Sequence, residues 1–442
     1  MILRLGVMNG WQRLEGPIRT PGQPGYDEER KGFNLQAPHR PALVAGATCA
    51  GDVAEAVAYA GAHGLPVAVQ STGHGLRDGL HAGVLITTGR MRGLRIDPSA
   101  RTARVEPGVR WGEVIAAAAE HGLAPRNGSS PGVSAIGYTL AGGLGLLGRT
   151  LGWAADHVRA LDVVTWDGRV HRVTPTREPE LFRVLRGSGG APGVVTAAEI
   201  DLVPLTHVFG GALTFDGAHA TAVLDAWLAW TRNAPREATS SVAMMTMPDL
   251  PGIPDLLRGR DTLSVRLAFA GAQAAGTALV RPLREVAPAL IDTLRVLPWT
   301  ECATIASDPP GAHAYHGTGV MLGSLDGEAL RTILHGAGPG APVPTVVQVN
   351  HLGGALADPP AVPNVVGHRD AGYLLRLLSV VGEGGSAPVE QAHGAVVARL
   401  GARVLGRSLG FQFGPHPSAQ WDACFTPTDL AAITRFHVKR AS

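Results

Sequence analysis

The sequence is poor in several features that mark common classes of protein. Only three cysteines, Cys49, Cys302 and Cys424, occur in 442 residues, and their spacing fits neither a disulfide framework nor a metal site. Charged residues make up 17% of the chain, the formal net charge is +2, and there is no basic run to neutralise phosphates. These shortages argue against a disulfide-stapled secreted domain, against a bound metal and against nucleic acid as a partner.

Long apolar stretches are also missing from the sequence. No run of 18 apolar residues is available to cross a bilayer, and the first 12 residues lack the basic segment, apolar core and cleavage site of a secretory signal. We therefore expect a cytoplasmic protein with no membrane partner. Hydrophobic residues, at 45% of this long chain, suffice for two domains with separate cores.

The pattern of apolar residues changes near the middle of the chain. In the first half, residues 53–63 and 111–121 have helical spacing, whereas 65–70 and 84–87 are strand-like and 161–173 predicts a hairpin. From about residue 206 a long predicted helix is followed by longer strands, which favours an antiparallel sheet covered by helices on one face. Both halves indicate an α+β fold.

A glycine-rich turn holds the residue that points most directly to a function. His74 follows a predicted strand, in the segment Ser71-Thr72-Gly73-His74-Gly75. Backbone amides in such a turn can converge on an anion such as a pyrophosphate, and a planar ring can lie against the uncrowded chain. The residues alone leave open that His74 is an ordinary hydrogen-bonding loop residue.

Several motifs, in order along the chain, carry a resemblance to a known family. They are the run from His74 through residues 83–86, 96–97 and 105–108, the segments 137–145, 181–187 and 193–196, and the downstream pair 352–355 and 367–373. They resemble the berberine bridge enzyme-like branch of the vanillyl-alcohol oxidase and p-cresol methylhydroxylase superfamily. The resemblance implies a p-cresol methylhydroxylase-type FAD-binding domain at 1–205, a substrate domain at 206–408, and a return of 409–442 to the first domain.

The resemblance also implies how FAD is held. The matching histidine of the family is bonded to the 8α-methyl of the isoalloxazine, which implies a covalent flavin on His74. Ser130 stands where many relatives carry a cysteine bonded to ring carbon C6, so we predict a single attachment; Ser130 is either a hydrogen-bond donor to the flavin or a plain turn residue. The remaining expected FAD-binding residues are Ser71, Thr72, Gly73, Gly75, Gly137, Tyr138, Gly142, Gly143, Gly145, Val194, Val195 and Gln412.

Residues 143–148 also satisfy the pattern GxGxxG of dinucleotide-binding folds. That pattern works between a buried strand and a helix, with an acidic residue roughly 20 positions further on. Here the preceding residues 137–140 are too short and too glycine-flanked for such a strand. We therefore predict that these glycines admit the flavin diphosphate instead. For Val194 and Val195, expected near the adenine, core packing is the alternative.

The catalytic base is the least evident part of the site. Relatives commonly use tyrosines, where this chain has Leu144 near the glycine motif and Phe411 and Phe413 near the C-terminus. A phenyl ring cannot accept a proton. Gln412, between the two phenylalanines, can still act as an orienting amide, so the base must come from elsewhere or be dispensable.

Strand alternation offers substitutes for these tyrosines. On the predicted strand 345–352, Gln348 and Asn350 share one face and His351 lies on the other. If the polar face meets the flavin, the two amides bind substrate; if the other face does, His351 is a candidate base, with a buried structural role as its alternative. Tyr315 is a further catalytic candidate, in a segment 312–319 without clear helical or strand character that predicts a pocket-lining loop.

These observations predict an FAD-linked oxidoreductase of secondary metabolism. We expect it to take hydride from a secondary alcohol, an amine or an activated C–H of a bulky small-molecule natural product, with O₂ reoxidising the flavin. The missing tyrosines leave open a flavoprotein that catalyses a redox-neutral cyclisation or isomerisation, or a binding protein that has lost turnover. The expected assembly is a monomer or a homodimer.

Overall fold

A computed structural model describes residues 14–437, so the N-terminal residues considered above for a signal lie outside the described range. The first half contains the strands β1 (Ile18–Arg19), β2 (Leu43–Gly46), β3 (Val67–Gln70), β4 (Val84–Thr87), β5 (Leu94–Asp97), β6 (Thr102–Val105), β7 (Leu123–Ala124), β8 (Val158–Thr165), β9 (Val170–Val173), β10 (Gly193–Asp201) and β11 (Val203–Pro204). Its helices are α1 (Tyr26–Arg30), α2 (Ala50–Ala62), α3 (Trp111–Ala119), α4 (Ala135–Leu140), α5 (Gly148–Leu151) and α6 (Pro179–Leu185).

The second half is built from longer elements. Its strands are β12 (His207–Asp216), β13 (Ala238–Thr246), β14 (Asp261–Phe269), β15 (Ala289–Asp292), β16 (Arg295–Pro298), β17 (Tyr315–Leu322), β18 (Val346–His351), β19 (Tyr373–Val380) and β20 (Val404–Arg407). Its helices are α7 (Ala220–Thr231), α8 (Gln273–Arg284), α9 (Gly327–Ala337), α10 (Ala387–Leu400), α11 (Ser418–Asp422) and α12 (Pro427–His437). Short 3-10 segments occur at Ala154–His157, Gly217–His219, Trp299–Ile305, Gly354–Leu356, Gly401–Arg403 and Leu409–Phe411.

Two sheets organise the first half. In the smaller one, with order β1-β2-β4-β3, strands β2 and β3 both run parallel to β4, as expected for strands joined across helix α2. The larger sheet is antiparallel, with order β5-β6-β10-β8-β9. The apolar side of α2 packs into the core shared by both sheets, using residues with helical spacing: Val53, Ala56, Val57 and Ala60.

One antiparallel sheet forms the centre of the second half, with order β15-β12-β14-β13-β18-β19-β17-β20 and with β16 beside β12. Its two faces differ in chemistry because side chains alternate along each strand. The apolar face is covered by α7, α9 and α10 and includes Val242, Val265, Val320, Val349 and Leu375. The opposite face carries Ser241, Arg266, Gln348, Asn350 and Arg376. The predicted α+β fold, with helices covering an antiparallel sheet, is confirmed.

Residues 312–319, predicted as a loop, belong largely to strand β17 between β19 and β20. Two glycines hide this strand from sequence analysis, because glycine is unfavourable in strands. A Cβ at Gly317 would overlap the ring of Phe413, and one at Gly319 would lie 2.8 Å from the Cβ of Phe411. The glycines are therefore needed for the C-terminal segment to pack across the strand.

The two halves are joined by arginines that bind backbone carbonyls. Arg149, on α5, donates from Nε to the carbonyl of Ala238 over 2.8 Å and from Nη1 to the carbonyl of Leu352, both in the second half. At the end of the chain, α12 packs on α6 of the first half. Sheet membership changes between β11 and β12, and β20 is the last strand among the described residues, while the domain boundaries near residues 205 and 408 stay a prediction.

Membrane-spanning helices and groups of metal-ligating side chains are both absent from residues 14–437. No helix among residues 14–437 is both long and apolar enough to cross a membrane. Over the same residues, no three histidine, cysteine or acidic side chains are grouped so as to hold a metal ion.

Three histidines cluster beneath the apolar face of the sheet. The ring centroid of His316 lies 4.4 Å from that of His416 and 5.6 Å from that of His393. The His393 nitrogens lie 3.1 Å from the hydroxyls of Thr318 and Ser379. Burial, together with the neighbouring histidines, lowers the pKa of His316 to about 3 and that of His393 to about 4. The cluster is therefore neutral in the folded protein at neutral pH.

This cluster predicts acid sensitivity with a defined direction. Unfolding returns each histidine to a pKa of about 6.5. Between about pH 6.5 and pH 4 the unfolded chain therefore binds more protons than the folded protein, and the free energy of unfolding falls as the pH is lowered. Replacing His393 by Gln, which keeps donors and acceptors for Thr318 and Ser379, should make the fall shallower by about 1.4 kcal/mol per pH unit in that window. Urea unfolding at a series of pH values measures it; the exposed His63→Gln variant is the control, and an unchanged slope in His393→Gln contradicts the prediction.

Candidate functional site

His74 lies in the turn that follows β3, and its imidazole is fixed by one neighbour on a ring face and another on a ring edge. Its Nδ1 lies 2.9 Å from Thr72 Oγ1, and its ring stacks on Phe33 with the centroids 3.9 Å apart and an interplanar angle of 11°. The other nitrogen, Nε2, is buried and has no hydrogen-bond partner among the described residues. Burial, reinforced by the charge of Arg110, lowers the pKa of His74 to about 4, so the ring is neutral at pH 7.

The turn itself is held by both halves of the chain. Gly73 has a φ of 72°, and a Cβ there would lie 2.5 Å from Gly32 Cα, so another residue would be strained and crowded. The amide of Phe33 donates to the carbonyl of Thr72 over 2.9 Å. The hydroxyl of Tyr315, on β17, donates to the carbonyl of His74 over 2.7 Å. The turn that carries the imidazole is consequently held by strand β17 of the second half as well as by Phe33 of the first half.

Ser130 faces the same space as His74. A Cβ built on Gly132 would lie 3.9 Å from Ser130 Oγ and equally far from His74 Nε2. Gly132 therefore leaves room between the two side chains, at the edge where the unpartnered nitrogen lies.

The polar face of the second-half sheet carries a chain of hydrogen bonds. Arg376 donates from Nη1 to Gln348 Oε1 over 3.0 Å, and Gln348 Nε2 lies 3.4 Å from Asn350 Oδ1. The Arg376 guanidinium also lies 4.0 Å from the ring centroid of Phe411. Because Phe411 also packs against an apolar cluster that includes Leu144 and Trp153 of the first half, this face is the one directed at that half. Of the two faces considered from sequence, the polar one therefore faces the first half, and we call the region between this face and the first half the cleft.

The position of His351 does not suit the catalytic role expected from the sequence. It lies on the opposite, helix-covered face, where its Nε2 is 3.1 Å from Arg149 Nη1 and its ring stacks on Tyr373 at 5.7 Å. Burial and the adjacent Arg149 lower its pKa to about 3. A side chain in that position cannot reach a substrate bound against Gln348, so the structural alternative for His351 is the better interpretation.

Comparison with known proteins reveals what the first half is. Residues 41–174 match the family model described as an FAD binding domain. The chain has the FAD-binding fold of the berberine bridge enzyme-like oxidases. The resemblance inferred from the sequence is thus confirmed in the fold, and residues 41–174 belong to a family of domains that bind FAD.

Individual relatives differ in how much of the chain they match. (R)-6-hydroxynicotine oxidase of Paenarthrobacter nicotinovorans is 34% identical over 208 residues, 46% of this chain and 45% of that protein. The chain thus matches about half the length of this relative. An FAD-linked oxidoreductase of Dictyostelium discoideum is 22% identical over 84% of this chain and 80% of its own.

Solved structures match almost the whole fold. The crystal structure of 6-hydroxy-D-nicotine oxidase from Arthrobacter nicotinovorans has a TM-score of 0.81 and 23% identity, covering 97% of this chain and 96% of that one. Glucooligosaccharide oxidase from Acremonium strictum, described as holding a 6-S-cysteinyl, 8α-N1-histidyl FAD, has a TM-score of 0.81 at 18% identity and covers 96% and 95%.

The residues around His74 fit a flavin. A buried imidazole nitrogen without a partner is costly unless a bound group completes its environment. The space beside it is bordered by Ser130 and Gly132, in a domain whose family binds FAD. Ser71 supports the turn from beneath by donating to the carbonyl of Pro107 over 2.5 Å.

Not all of the expected FAD-binding residues face this space. Tyr138 packs edge-on against Trp111, with centroids 5.4 Å apart, and its hydroxyl is buried without a partner in the described chain. Burial raises the pKa of Tyr138 well above its ordinary value. Val194 and Val195 are buried in two different cores on the two faces of β10. For these three residues the structure shows core packing.

The glycine motif begins after a helix. Residues 135–140 form α4, capped by Ser134 Oγ, which accepts from the amide of Gly137 over 3.2 Å. A dinucleotide fold requires a strand at this place, so the nicotinamide interpretation is excluded. Gly142 and Gly143 have φ values of 103° and 75°, and Gly145 lies close to the carbonyl of Asn127.

Gln412 is positioned by the strand that it crosses. Its Oε1 accepts from the amide of Gly319 over 2.8 Å, while its Nε2 is buried with no hydrogen-bond partner in the described range. Phe413 packs edge-on against Tyr315, with centroids 5.6 Å apart. Burial raises the pKa of Tyr315 above its ordinary value, and its hydroxyl is engaged by His74, so Tyr315 acts as a support for the turn.

Sequence analysis missed four residues of the cleft: Phe33, Arg266, Asp308 and Arg376. The two arginines carry a recognisable signal, because each is directly flanked by apolar residues on both sides in its strand. Phe33 and Asp308 lie in irregular segments and meet the site only through tertiary contacts, Asp308 by accepting a 2.5 Å hydrogen bond from Ser129 Oγ.

Proposed function

We propose that this chain is an FAD-dependent oxidase that carries its flavin on a single covalent bond to His74. It removes a hydride from a carbon bearing a hydroxyl or amine, or from an activated C–H, of a bulky small-molecule natural product, and O₂ reoxidises the flavin. The observation that carries this proposal is the neutral, stacked imidazole of His74 with one buried nitrogen unpartnered among the described residues. FAD supplies the two-electron acceptor when it is bound.

The protein's own groups prepare the attachment. A neutral imidazole has a free lone pair, which is the form that can bond to carbon. Thr72 fixes which edge of the ring is presented, Phe33 prevents the ring from tilting, and Tyr315 holds the backbone of the turn. Together these contacts fix the position of the nucleophile before any bond forms.

The substrate side is supplied by the sheet. Gln348 and Asn350 present amide groups that can orient a hydroxyl or amine by hydrogen bonds, and Phe411 and Phe413 present apolar rings. The substrate therefore binds between the polar face of the sheet and the flavin on His74. A ligand with both apolar and polar parts suits this lining.

Anaerobic flavin reduction tests the proposal. The purified protein is mixed without oxygen with a panel of amines and alcohols, including (R)-6-hydroxynicotine and xylo-oligosaccharides, the kinds of compound in the names of the relatives. Bleaching of the visible flavin band, with recovery when air is admitted, supports the oxidase. A flavin that stays oxidised while one of these compounds is consumed rules out the oxidase.

One observation favours a second candidate. Phe411 and Phe413 occupy the segment where relatives carry tyrosines, and neither ring can take a proton. A redox-neutral cyclisation or isomerisation would not need a group that accepts the proton released by oxidation. Its signature in the same experiment is a product of unchanged mass formed while the flavin stays yellow.

A matched substitution tests the single attachment. Ser130→Cys places a thiol beside the space that Ser130 shares with His74, so we expect a second attachment, a thioether to the C6 position of the flavin, in much of the protein. The S–H and C6–H bonds are broken, and the two electrons released pass through the flavin to O₂. The measurement is the mass of flavin-bearing peptides after digestion, and Ser129→Cys serves as the neighbouring control. A second attachment in the Ser129→Cys variant but not in the Ser130→Cys variant contradicts the assigned position of the flavin.

A further inference from the structure

Two arginines share the cleft-facing side of the sheet. Arg266 on β14 pairs with Ser241 on β13, which in turn pairs with Asn350 on β18. Arg376 on β19 pairs with Gln348 on β18. Directly paired residues of antiparallel strands point to the same face. The two arginines therefore lie on one face of the sheet, with Ser241, Gln348 and Asn350 on the strands between them.

Neither guanidinium has a carboxylate partner. Among residues 14–437, no aspartate or glutamate oxygen lies within 4.0 Å of Arg266 or Arg376, whereas arginines elsewhere, such as Arg104 and Arg172, are ion-paired. The contacts of Arg376 are the neutral amide of Gln348 and the ring of Phe411. A partly buried cation with only neutral partners is unfavourable until an anion joins it.

The two positive charges of Arg266 and Arg376 are opposed by the single negative charge of Asp308. Burial lowers the pKa of Arg266, and it lowers that of Arg376 to about 10, with repulsion from Arg266 adding to the second effect. The negative charge of Asp308 opposes both shifts. Asp308 is exposed and is held toward the flavin side by its hydrogen bond from Ser129. The charge of one carboxylate thus acts on two guanidinium groups.

We propose that Arg266 and Arg376 bind a carboxylate of the substrate, so that this oxidase acts on a carboxylic acid. The assignment rests on the proposed function for the orientation of the substrate, since the amides between the arginines face the flavin on His74. Guanidinium forks match the geometry of a carboxylate and can each donate two parallel hydrogen bonds. The acid group then anchors one end of the substrate, while Gln348 and Asn350 orient the hydroxyl or amine nearer the flavin.

Benzoate and its neutral isostere benzamide are probes for this site. Binding of each to the purified holoprotein is measured by calorimetry and by the difference spectrum of the flavin. We expect benzoate to bind at least about tenfold more tightly than benzamide, because charge-assisted hydrogen bonds exceed neutral ones. Arg266→Gln and Arg376→Gln should each weaken benzoate binding about tenfold or more and leave benzamide unchanged. Arg376→Lys, which keeps the charge, should restore part of the affinity.

Substitution of Asp308 has the opposite expected sign. Asp308→Asn retains an oxygen for Ser129 but removes the competing negative charge, so benzoate should bind several-fold more tightly. Arg260→Gln is the control, because Arg260 is paired with Asp216 at the surface. Unchanged colour and melting temperature identify the variants that remain folded.

Several outcomes overturn the carboxylate site. They are equal affinities for benzoate and benzamide, no benzoate binding, an affinity insensitive to both arginine substitutions, or an effect of those substitutions on the flavin spectrum without an effect on benzoate. The proposed oxidase fails separately, when the flavin is not retained or not reduced. Because calorimetry reports benzoate binding without turnover, the two failures are distinguishable.

Discussion

Protein carrying His74→Ala is expected to give a white pellet on acid precipitation, whereas the unsubstituted protein keeps its yellow flavin in the pellet. Acid unfolds the chain and releases any flavin held only by non-covalent contacts, so retained colour reports a covalent bond. Alanine removes the sole ring nitrogens of the turn at 71–75. The loss of retained flavin should therefore be essentially complete, as measured by absorbance of the redissolved pellet.

A neighbouring histidine provides the control for this result. His313 lies beside the same aromatic group, with its ring centroid 5.9 Å from that of Phe33, but has no assigned bond to the flavin. His313→Ala should retain its colour. A white pellet from the unsubstituted protein would show that the covalent bond is absent even though the fold is right, and a yellow His74→Ala pellet would place the bond on another residue.

Arg186→Met is expected to produce the largest loss of stability. Arg186 is completely buried at the end of α6 and donates to the carbonyls of Ala155, Val362 and Pro363. Methionine fills much of the same volume but removes the donor of each of these carbonyls, of which that of Ala155 is buried and those of Val362 and Pro363 are partly buried. Since each such group costs about 1–3 kcal/mol, the free energy of unfolding should fall by about 3 kcal/mol or more.

The effect of Arg186 can be separated from a general effect of losing an arginine. Arg169, at the exposed β8–β9 turn, has a side chain that is 78% exposed and lies 3.6 Å from Asp167. Arg169→Met should change the free energy of unfolding by less than about 0.5 kcal/mol. Equal denaturant midpoints for the two variants would show that the carbonyl contacts of Arg186 contribute little.

The site could be located from sequence only where neighbours in the chain form it. The turn 71–75 carries its own glycines, strand and histidine, so sequence analysis could single out His74. Gln348 and Asn350 could be assigned to a common face because strand alternation is a local rule. Which face lines the cleft could not be read from that rule, since it depends on the helices that cover the other side.

Sequence analysis missed or misassigned other features for the same physical reason. Strand β17 was hidden because its glycines are required by Phe411 and Phe413, which are about 90 residues away in the chain. Tyr315 was expected as a catalytic group, yet its hydroxyl supports the His74 turn across the two halves. Asp308 becomes part of the cleft only through Ser129 and the two arginines.

Patterns local to the chain were enough to establish the α+β character, the antiparallel second half, the mismatch with a dinucleotide fold and the identity of the proposed flavin-bearing turn. These follow from periodicity, glycine positions and motif order, which depend on residues close together along the chain. Three further properties emerged only in the folded molecule: which strand face lines the cleft, why His351 is outside it, and that two arginines without carboxylate partners in the described range stand within it. They depend on strand pairing and on the packing of distant segments, and no local pattern encodes them.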